Sequence, residues 1–228
     1  MAVNIDTVYQ KVLAFANKEQ RGYITPQEFN LFADQAQNEI FDQYFYDLNQ
    51  FSRVNRGSEE YADMTKYLEE KINVFKRIGT SSTNPGNTQT NLYQMGTVWS
   101  DAGRVCEPIE YDKFLFMQRS RKMQPIVEMP VYTRRHSNIT IHPQADISSF
   151  TYEYVKQPDK PNWTYVVVNQ KAMLDANNPS YSDFMLHHSE ENELVYKILK
   201  YAGVSMRRGD IAQAGQGMET VNTQQQKQ

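Results

Sequence analysis

Apolar residues recur every three or four positions through the first eighty residues, which predicts a bundle of three amphipathic helices. The first helix begins at Ile5, and the second carries an apolar face over residues 29–48. Ser58 is expected to cap the third helix. The residues expected to end that helix are Lys76, Arg77 and Gly79.

Short runs of β-branched and aromatic residues replace the helical period between residues 92 and 186. Phe150, Tyr152 and Tyr154 alternate with more polar neighbours, as in a half-buried strand. We therefore expect a small antiparallel sheet, joined to the helices by the polar stretch 80–91. The expected strands are 92–98, 129–132, 138–142, 150–155, 164–168 and 184–186.

A further amphipathic helix follows the predicted sheet, with Ser189 as its expected cap and Gly203 as its end. The sequence thus predicts an α+β fold: an N-terminal three-helix bundle with a C-terminal helix packing on it, an inserted small antiparallel β domain and an extended C-terminal arm. The predicted boundaries are 1–79 for the bundle, 80–91 for the linker, 92–186 for the β-rich domain, 187–204 for the returning helix and 205–228 for the arm.

The arm is rich in Gln, Gly and Thr and has too few apolar residues to build a core, so in isolation we expect it to be disordered. Docking on neighbouring molecules would order it, and the alternative is a tail clamped on its own domain. Aromatic residues on the second helix extend beyond one stripe, which indicates a contact surface. The predicted interface residues are Phe41, Phe45, Tyr46, Tyr201, Met206, Arg207, Arg208, Ile211, Met218 and Val221.

Residues 17–28 have the outline of an EF-hand loop with most of its ligands lost. Gly22 and Glu28 occupy the expected positions, but Arg21 places a positive charge where the cation needs an oxygen. We expect a structural turn in which Thr25 caps the second helix and Pro26 is its first residue. A degenerate EF-hand-like, calcium-responsive binding module is the alternative.

No catalytic motif or cofactor loop is present in the sequence, so we predict no catalytic, cofactor-binding or metal-binding residues and no enzymatic activity. Cys106 lies near acidic residues, which disfavour a reactive thiolate. Because it is the single cysteine of the sequence, no internal disulfide is possible, which fits a reducing compartment. His187 and His188 are adjacent on a predicted strand and so should face opposite ways. A hydrolase or nuclease built from scattered carboxylates and one of these histidines is the competing hypothesis.

The net charge of −3 over 228 residues implies no general affinity for nucleic acid or anionic membranes, and no apolar run is long enough to span a membrane. Basic residues nevertheless cluster in the predicted sheet region with only Glu128 against them. They would face a DNA channel or an acidic partner, or they are ordinary solvated charges. These residues are Arg119, Arg121, Lys122, Arg134 and Arg135.

Three stretches, in order along nearly the whole chain, resemble virion structural proteins of tailed bacteriophages of the marine and gut crAss-like kind. They are VLAFANKEQRGYITPQEFN at 12–30, YEYVKQPDKPNW at 152–163, and ELVYKILKYAGV at 193–204 with the Gln-rich tail after it. None of the three stretches is a catalytic motif.

The resemblance implies a head-to-tail connector, a portal adaptor or neck protein that forms a ring, commonly a dodecamer, and continues the DNA channel from portal to tail. Proteins of this kind combine a helical bundle, a β-rich insertion and a C-terminal arm that grips neighbours. The implied partners are the chain itself, the portal protein, other connector and tail proteins, and genomic DNA in transient contact. The implied location is the virion, assembled in the host cytoplasm, without a membrane partner.

Overall fold

The computed structural model describes residues 2–17, 24–53, 59–205, 213 and 216–221. In chain order the elements are β1 (Ala2–Val3), α1 (Ile5–Asn17), α2 (Pro26–Arg53), α3 (Glu59–Asn73), β2 (Lys76–Ser81), β3 (Gly86–Asn87), β4 (Leu92–Ser100), β5 (Val105–Pro108), α4 (Tyr111–Gln118), β6 (Val131–Arg135), β7 (Asn138–His142), β8 (Phe150–Lys156), β9 (Tyr165–Val168), β10 (Lys171–Leu174), β11 (Phe184–His187), a 3-10 helix (His188–Glu190) and α5 (Glu191–Ser205).

These elements divide between two units. The helical unit comprises Met1–Val74 and Pro158–Gln228, and the sheet unit comprises Phe75–Gln157. The chain therefore leaves the helical unit once and returns to it once. Among the described residues, none of the helices combines the length and the apolarity that crossing a membrane requires.

The helical unit is built around α2, which packs against α3 on one part of its surface and against α5 on another, while α5 also contacts α1. Most of the apolar residues that recur every three or four positions in the sequence are buried in the structure, as expected for the helix faces that pack against a core. The unit also contains two antiparallel strand pairs, β1 with β11 and β9 with β10. The buried residues of its helices include Ile5, Val8, Val12, Phe29, Ala33, Ile40, Leu194 and Ile198.

In the sheet unit, the described strands form a seven-stranded sheet in the order β2-β8-β4-β5-β6-β7-β3. Neighbouring strands are antiparallel, apart from the parallel pair β5 and β6. The two edge strands, β2 and β3, are consecutive in the chain and joined by residues 82–85, so the sheet is nearly closed, like a barrel. Its interior holds Val98, Cys106, Tyr132, Ile139, Ile141, Ile147, Phe150, Tyr152 and Tyr154.

One side chain fixes the connection between the two edges. Asn84 donates from Nδ2 to the carbonyl oxygens of Ile141 (2.9 Å) and Ile147 (2.7 Å) and accepts at Oδ1 from the Ile141 amide (3.0 Å). Three hydrogen bonds from one amide satisfy main-chain groups that the ladder leaves unpaired. A loop that composition alone presents as a linker is thus part of the barrel wall.

The predicted fold class is wrong, because the β structure is not a small insertion in a helical bundle. The molecule is mixed α/β with a large, nearly closed sheet, and its helical unit carries strands of its own. The sequence pattern underestimates the sheet because β2 and β3 are rich in Ser, Thr, Gly and Asn. Such residues join a sheet through main-chain hydrogen bonds and show no apolar alternation.

The predicted end of the third helix is also wrong. α3 ends at Asn73, and Lys76, Arg77 and Gly79 lie on β2, paired with β8. The predicted alternation on β8 is confirmed, since Phe150, Tyr152 and Tyr154 are buried and the residues between them are not.

Gly79 lies opposite Tyr152, and a Cβ atom on Gly79 would come within 2.5 Å of Tyr152 Cζ. The Tyr152 ring is buried and its hydroxyl accepts from the Gln89 amide at 3.1 Å, so the ring has little freedom to move aside. We expect Gly79→Ala to lower the free energy of unfolding by about 1–3 kcal/mol, measured by chemical denaturation.

The control is Gly217→Ala, because within the described part of the chain no atom beyond its chain neighbours and its own helix backbone lies within 4 Å of the position of its Cβ. This variant should change the free energy of unfolding little. Equal stability of Gly79→Ala and the wild type would contradict the close packing of β2 against Tyr152.

Candidate assembly surfaces

The β9–β10 hairpin is a two-stranded ribbon in the helical unit. Val168 pairs with Lys171, Val167 with Ala172, Val166 with Met173 and Tyr165 with Leu174. The two-residue turn between the strands, Asn169 and Gln170, has positive φ at both positions (50° and 65°), which is the geometry of a type I′ turn. A turn of this type matches the twist of paired strands and reverses the chain within two residues.

Both faces of this hairpin are apolar and open to solvent. Val166, Val168 and Met173 lie on one face; Val167, which is 62% exposed, and Leu174 lie on the other. An isolated two-stranded hairpin is only marginally stable in water. Exposed apolar side chains on both sides of such a ribbon mark it as a candidate contact surface.

The base of the hairpin, in contrast, is firmly held. Thr164 Oγ1 donates to the Asp175 carbonyl at 2.5 Å, the Asp175 amide donates to the Thr164 carbonyl at 2.9 Å, and the Tyr165 ring stacks on buried Trp163 with centroids 5.9 Å apart. The hairpin therefore projects from a fixed base, and only its outer part is exposed.

A second apolar surface lies in the sheet unit, in a groove of about 450 Å³ that we call the Met129 groove. A tight turn forms one wall, closed by the Met129 amide donating to the Ile126 carbonyl at 3.1 Å. Met129 is 71% exposed, and Val105, Met123 and Ile126 are exposed beside it. The groove is lined by Val105, Glu107, Met117, Lys122, Met123, Gln124, Pro125, Ile126, Glu128, Met129, Pro130 and Val131.

The aromatic residues predicted to form an interface on α2 differ in exposure. Phe41 is buried, Phe45 packs edge-on against it with ring centroids 5.0 Å apart, and only Tyr46, 67% exposed, faces solvent fully. Extra aromatic side chains beyond one helical stripe thus serve partly as core, because α2 is contacted on more than one side.

The remaining predicted interface residues lie on α5 and in the C-terminal segment. Tyr201 donates to Glu39 through its hydroxyl. Met218 and Val221 are exposed on the helical stretch 216–221. Met206, Arg207, Arg208 and Ile211 lie outside the described residues.

A carboxylate ties the stretch 216–221 to α5 of the same chain. Glu219 contacts Lys197 Nζ at 2.7 Å and Lys200 Nζ at 3.1 Å. Burial alone would raise the pKa of Glu219, but the hydrogen bonds and charges of the two lysines lower it below its ordinary value. The described part of the tail is therefore clamped on its own chain by a charged contact.

Lys197 is the centre of this contact and is only 1% exposed. Besides Glu219 it contacts Glu39 at 3.0 Å and Glu193 at 3.8 Å. Burial favours the neutral amine, yet hydrogen bonds to Glu219 and Glu39 raise the pKa of Lys197 above its ordinary value. The lysine is a buried cation whose charge is stabilised by carboxylates from α2, α5 and the tail.

A second buried ion pair lies nearby, where Lys71 of α3 meets Glu190 at 2.5 Å. Burial and the charge of Glu190 raise the pKa of Glu193 to about 7, against the lowering effect of Lys197. Burial and the charges of both glutamates also raise the pKa of Tyr44. The predicted Ser189 cap is wrong: His187 caps the 3-10 helix that precedes α5, and Glu190 in that helix is buried.

The five basic residues predicted to contact DNA or an acidic partner are all exposed and lie in the sheet unit. Arg119, Arg121 and Lys122 follow α4, and Lys122 reaches the Met129 groove. Arg134 and Arg135 end β6, where the Arg135 guanidinium lies 3.7 Å from the centroid of the Tyr111 ring. In the sequence these basic residues form two short groups, at 119–122 and 134–135, rather than one continuous basic segment.

The EF-hand-like stretch is described only from residue 24 onward, apart from the main chain of Asn17. There Thr25 and Glu28 form a capping box: the Thr25 amide donates to Glu28 Oε2 at 3.0 Å and the Glu28 amide donates to Thr25 Oγ1 at 3.3 Å. The hydrogen bond from the Thr25 amide also lowers the pKa of Glu28. The carboxylate that a calcium ion would need at the twelfth position is thus already engaged as a cap.

The competing hypotheses of catalysis and metal binding would need a cluster of ligating side chains. Among the described residues, no three His, Cys, Asp or Glu side chains are grouped so that they could hold a metal ion. The rings of His187 and His188 lie 4.3 Å apart rather than on opposite faces. Cys106 is buried, and burial raises the pKa of its thiol to about 11, which makes it a poor nucleophile at neutral pH.

No protein-family model matches this chain, and a search of curated proteins finds no match either. The resemblance to phage connector proteins therefore stays a prediction.

Since the pKa of Glu193 is raised to about 7, the folded protein holds a proton between about pH 4.5 and 7 that the unfolded chain has released. Stability conferred by this group is therefore lost as the pH rises through that window. We expect Glu193→Gln, which cannot ionise, to gain stability relative to the wild type between pH 5 and pH 8, as measured by denaturation at each pH.

Glu69→Gln on the exposed part of α3 is the matched control and should show no such trend relative to the wild type. A constant offset between Glu193→Gln and the wild type at all pH values would contradict a raised pKa at this position.

Proposed function

We propose that this chain is a structural subunit that assembles with copies of itself into a ring, and that the ring is a head-to-tail connector of a tailed-bacteriophage virion. In this role it continues the DNA channel and links the portal protein to the tail. The observation that carries the proposal is an exposed apolar surface on each of the two units, the β9–β10 hairpin and the Met129 groove.

Two different surfaces are what a ring requires. Head-to-tail contacts join unlike patches, and they close into a ring when the rotation between neighbours divides a full turn. A symmetric dimer, in contrast, would need only one self-complementary patch. The hairpin and the groove differ in shape as well as in location, since one projects and the other is concave.

The C-terminal segment fits the same role. Its described part is held by the charged contact of Glu219 with Lys197 and Lys200, while Met218 and Val221 remain exposed. A segment that is held by charged contacts and still exposes apolar side chains can add to a subunit contact.

The charge pattern agrees with a channel that passes DNA without retaining it. Net charge is −3, and the exposed arginines and lysines after α4 and on β6 are few. Since binding to the DNA backbone grows with the number of phosphates neutralised, a few basic residues give only weak, salt-sensitive contact. Transient contact with genomic DNA is accordingly part of the proposal.

The test is the oligomeric state of the purified chain. We expect concentration-dependent rings by mass photometry and negative-stain microscopy, alone or with a portal protein, and weaker assembly for Val167→Glu because a charge is placed in an apolar contact. Leu31→Glu, which alters an exposed apolar residue of α2 outside the hairpin, is the matched control and should assemble normally.

A chain that stays monomeric at every concentration, also with a portal protein, would contradict the proposed function. If rings do form, images of the native particle would show whether the ring lies between portal and tail.

A further inference from the structure

The hairpin exposes apolar side chains on both faces, and this limits what can cover it. A flat partner surface would bury either Val167 and Leu174 or Val166 and Met173, but not both pairs. A cleft that takes the ribbon edge-on buries both faces at once. Covering two faces therefore requires a concave partner.

The Met129 groove has the shape and the chemistry for this. Its volume of about 450 Å³ is within the range of cavities that enclose a compact ligand, about 300–1,000 Å³. Four residues of a strand extend about 13 Å, so the groove would take the outer part of the hairpin rather than its whole length. Its exposed apolar side chains are aliphatic or thioether groups, which adapt to β-branched partners, and charged and polar side chains lie among them.

Charges at the two surfaces are complementary. From Tyr165 to Leu174 the only charged residue is Lys171, which lies next to the turn. The groove carries two carboxylates, Glu107 and Glu128, against one ammonium, Lys122. Within the described residues, Lys171, Glu107 and Glu128 take part in no ion pair, so a neighbour's charge is available to each.

We infer that the β9–β10 hairpin of one copy docks in the Met129 groove of the next copy, with Lys171 facing Glu107 and Glu128. This inference rests on the proposed function and names the contact that would build the ring. Each subunit gives one hairpin and receives one, so the same contact repeats around the ring. The occupant of the groove is thus a second copy of this chain.

Two variants, each defective in one surface, separate this contact from others. Val167→Glu spoils the hairpin and Met129→Glu spoils the groove, and both residues are largely exposed, so folding should persist; circular dichroism checks this. Alone, each variant should form no rings at concentrations up to at least ten times that at which the wild type is half assembled. An equimolar mixture should give heterodimers and no rings, because one intact hairpin and one intact groove remain per pair.

Charge reversal gives an independent measure. We expect Lys171→Glu and the double variant Glu107→Lys with Glu128→Lys each to weaken assembly several-fold, about the effect of one or two partly exposed ion pairs. Combining all three changes in one chain should restore assembly. Ile78→Glu on β2 and Leu31→Glu on α2, both at exposed apolar positions, are controls that should leave assembly unchanged.

Each outcome decides a different statement. If the wild type forms rings and both single variants do so equally well, the docking contact is refuted while the proposed function stands. If the variants block assembly but their mixture yields no heterodimer, or if they change only the stability of a monomer, the pairing of hairpin with groove is refuted. If the wild type never assembles, both statements fall.

Discussion

The helical unit depends on the satisfaction of main-chain groups in an irregular segment that returns to it beside α2. Gln37, fully buried, donates to the Asp159 carbonyl and accepts from the Met185 amide, both at 2.8 Å. Asn30 lies about two helical turns before Gln37 on the same helix. Its side chain accepts a hydrogen bond from the Trp163 amide (2.9 Å) and donates one to the Trp163 carbonyl (3.2 Å). Because unpaired polar groups in a core are costly, these two amides determine where the returning chain lies. The Trp163 ring then fills the core, and the base of the β9–β10 hairpin follows directly from it.

The same unit buries several charged side chains, and each buried lysine is paired with a carboxylate. Lys71 and Lys197 come from different helices, and each meets carboxylates supplied by another element. A buried cation is stable only while such partners are present, so removal of one partner costs more than the pair contributes. The charged groups thereby join α3 to the 3-10 helix and α5 to α2. The attachment of Glu219 makes the C-terminal segment part of this network rather than an independent appendage.

The sequence predicts the helices that have a strong apolar period and the strands that have a clear apolar–polar alternation. It does not predict the strands that are held mainly by main-chain hydrogen bonds. α1, α2, β8 and β11 follow the pattern closely, while β2 and β3 are hidden in a polar stretch because their side chains take little part in the core. The candidate site is divided in the same way. Strand 164–168 is predicted, but its partner β10 is not, because the turn residues Asn169 and Gln170 lack the glycine that usually marks a two-residue hairpin turn. The Met129 groove is formed by residues from β5, the end of α4 and the turn before β6. No periodicity in the sequence predicts that these segments lie close together.

The exposed apolar residues are of two kinds, scattered single residues and the residues of the β9–β10 hairpin, and the two kinds have different explanations. Scattered ones such as Leu31 or Ile78 are ordinary on any protein surface. The hairpin is different, because a ribbon of two strands cannot form a core of its own and still keeps five apolar side chains in water. Its rigid base and regular turn mean that little conformational entropy is lost when a partner covers it. A preorganised projection with an adaptable, methionine-lined cleft elsewhere on the same chain is the combination that head-to-tail assembly exploits, since one half of the contact supplies shape and the other adapts to it.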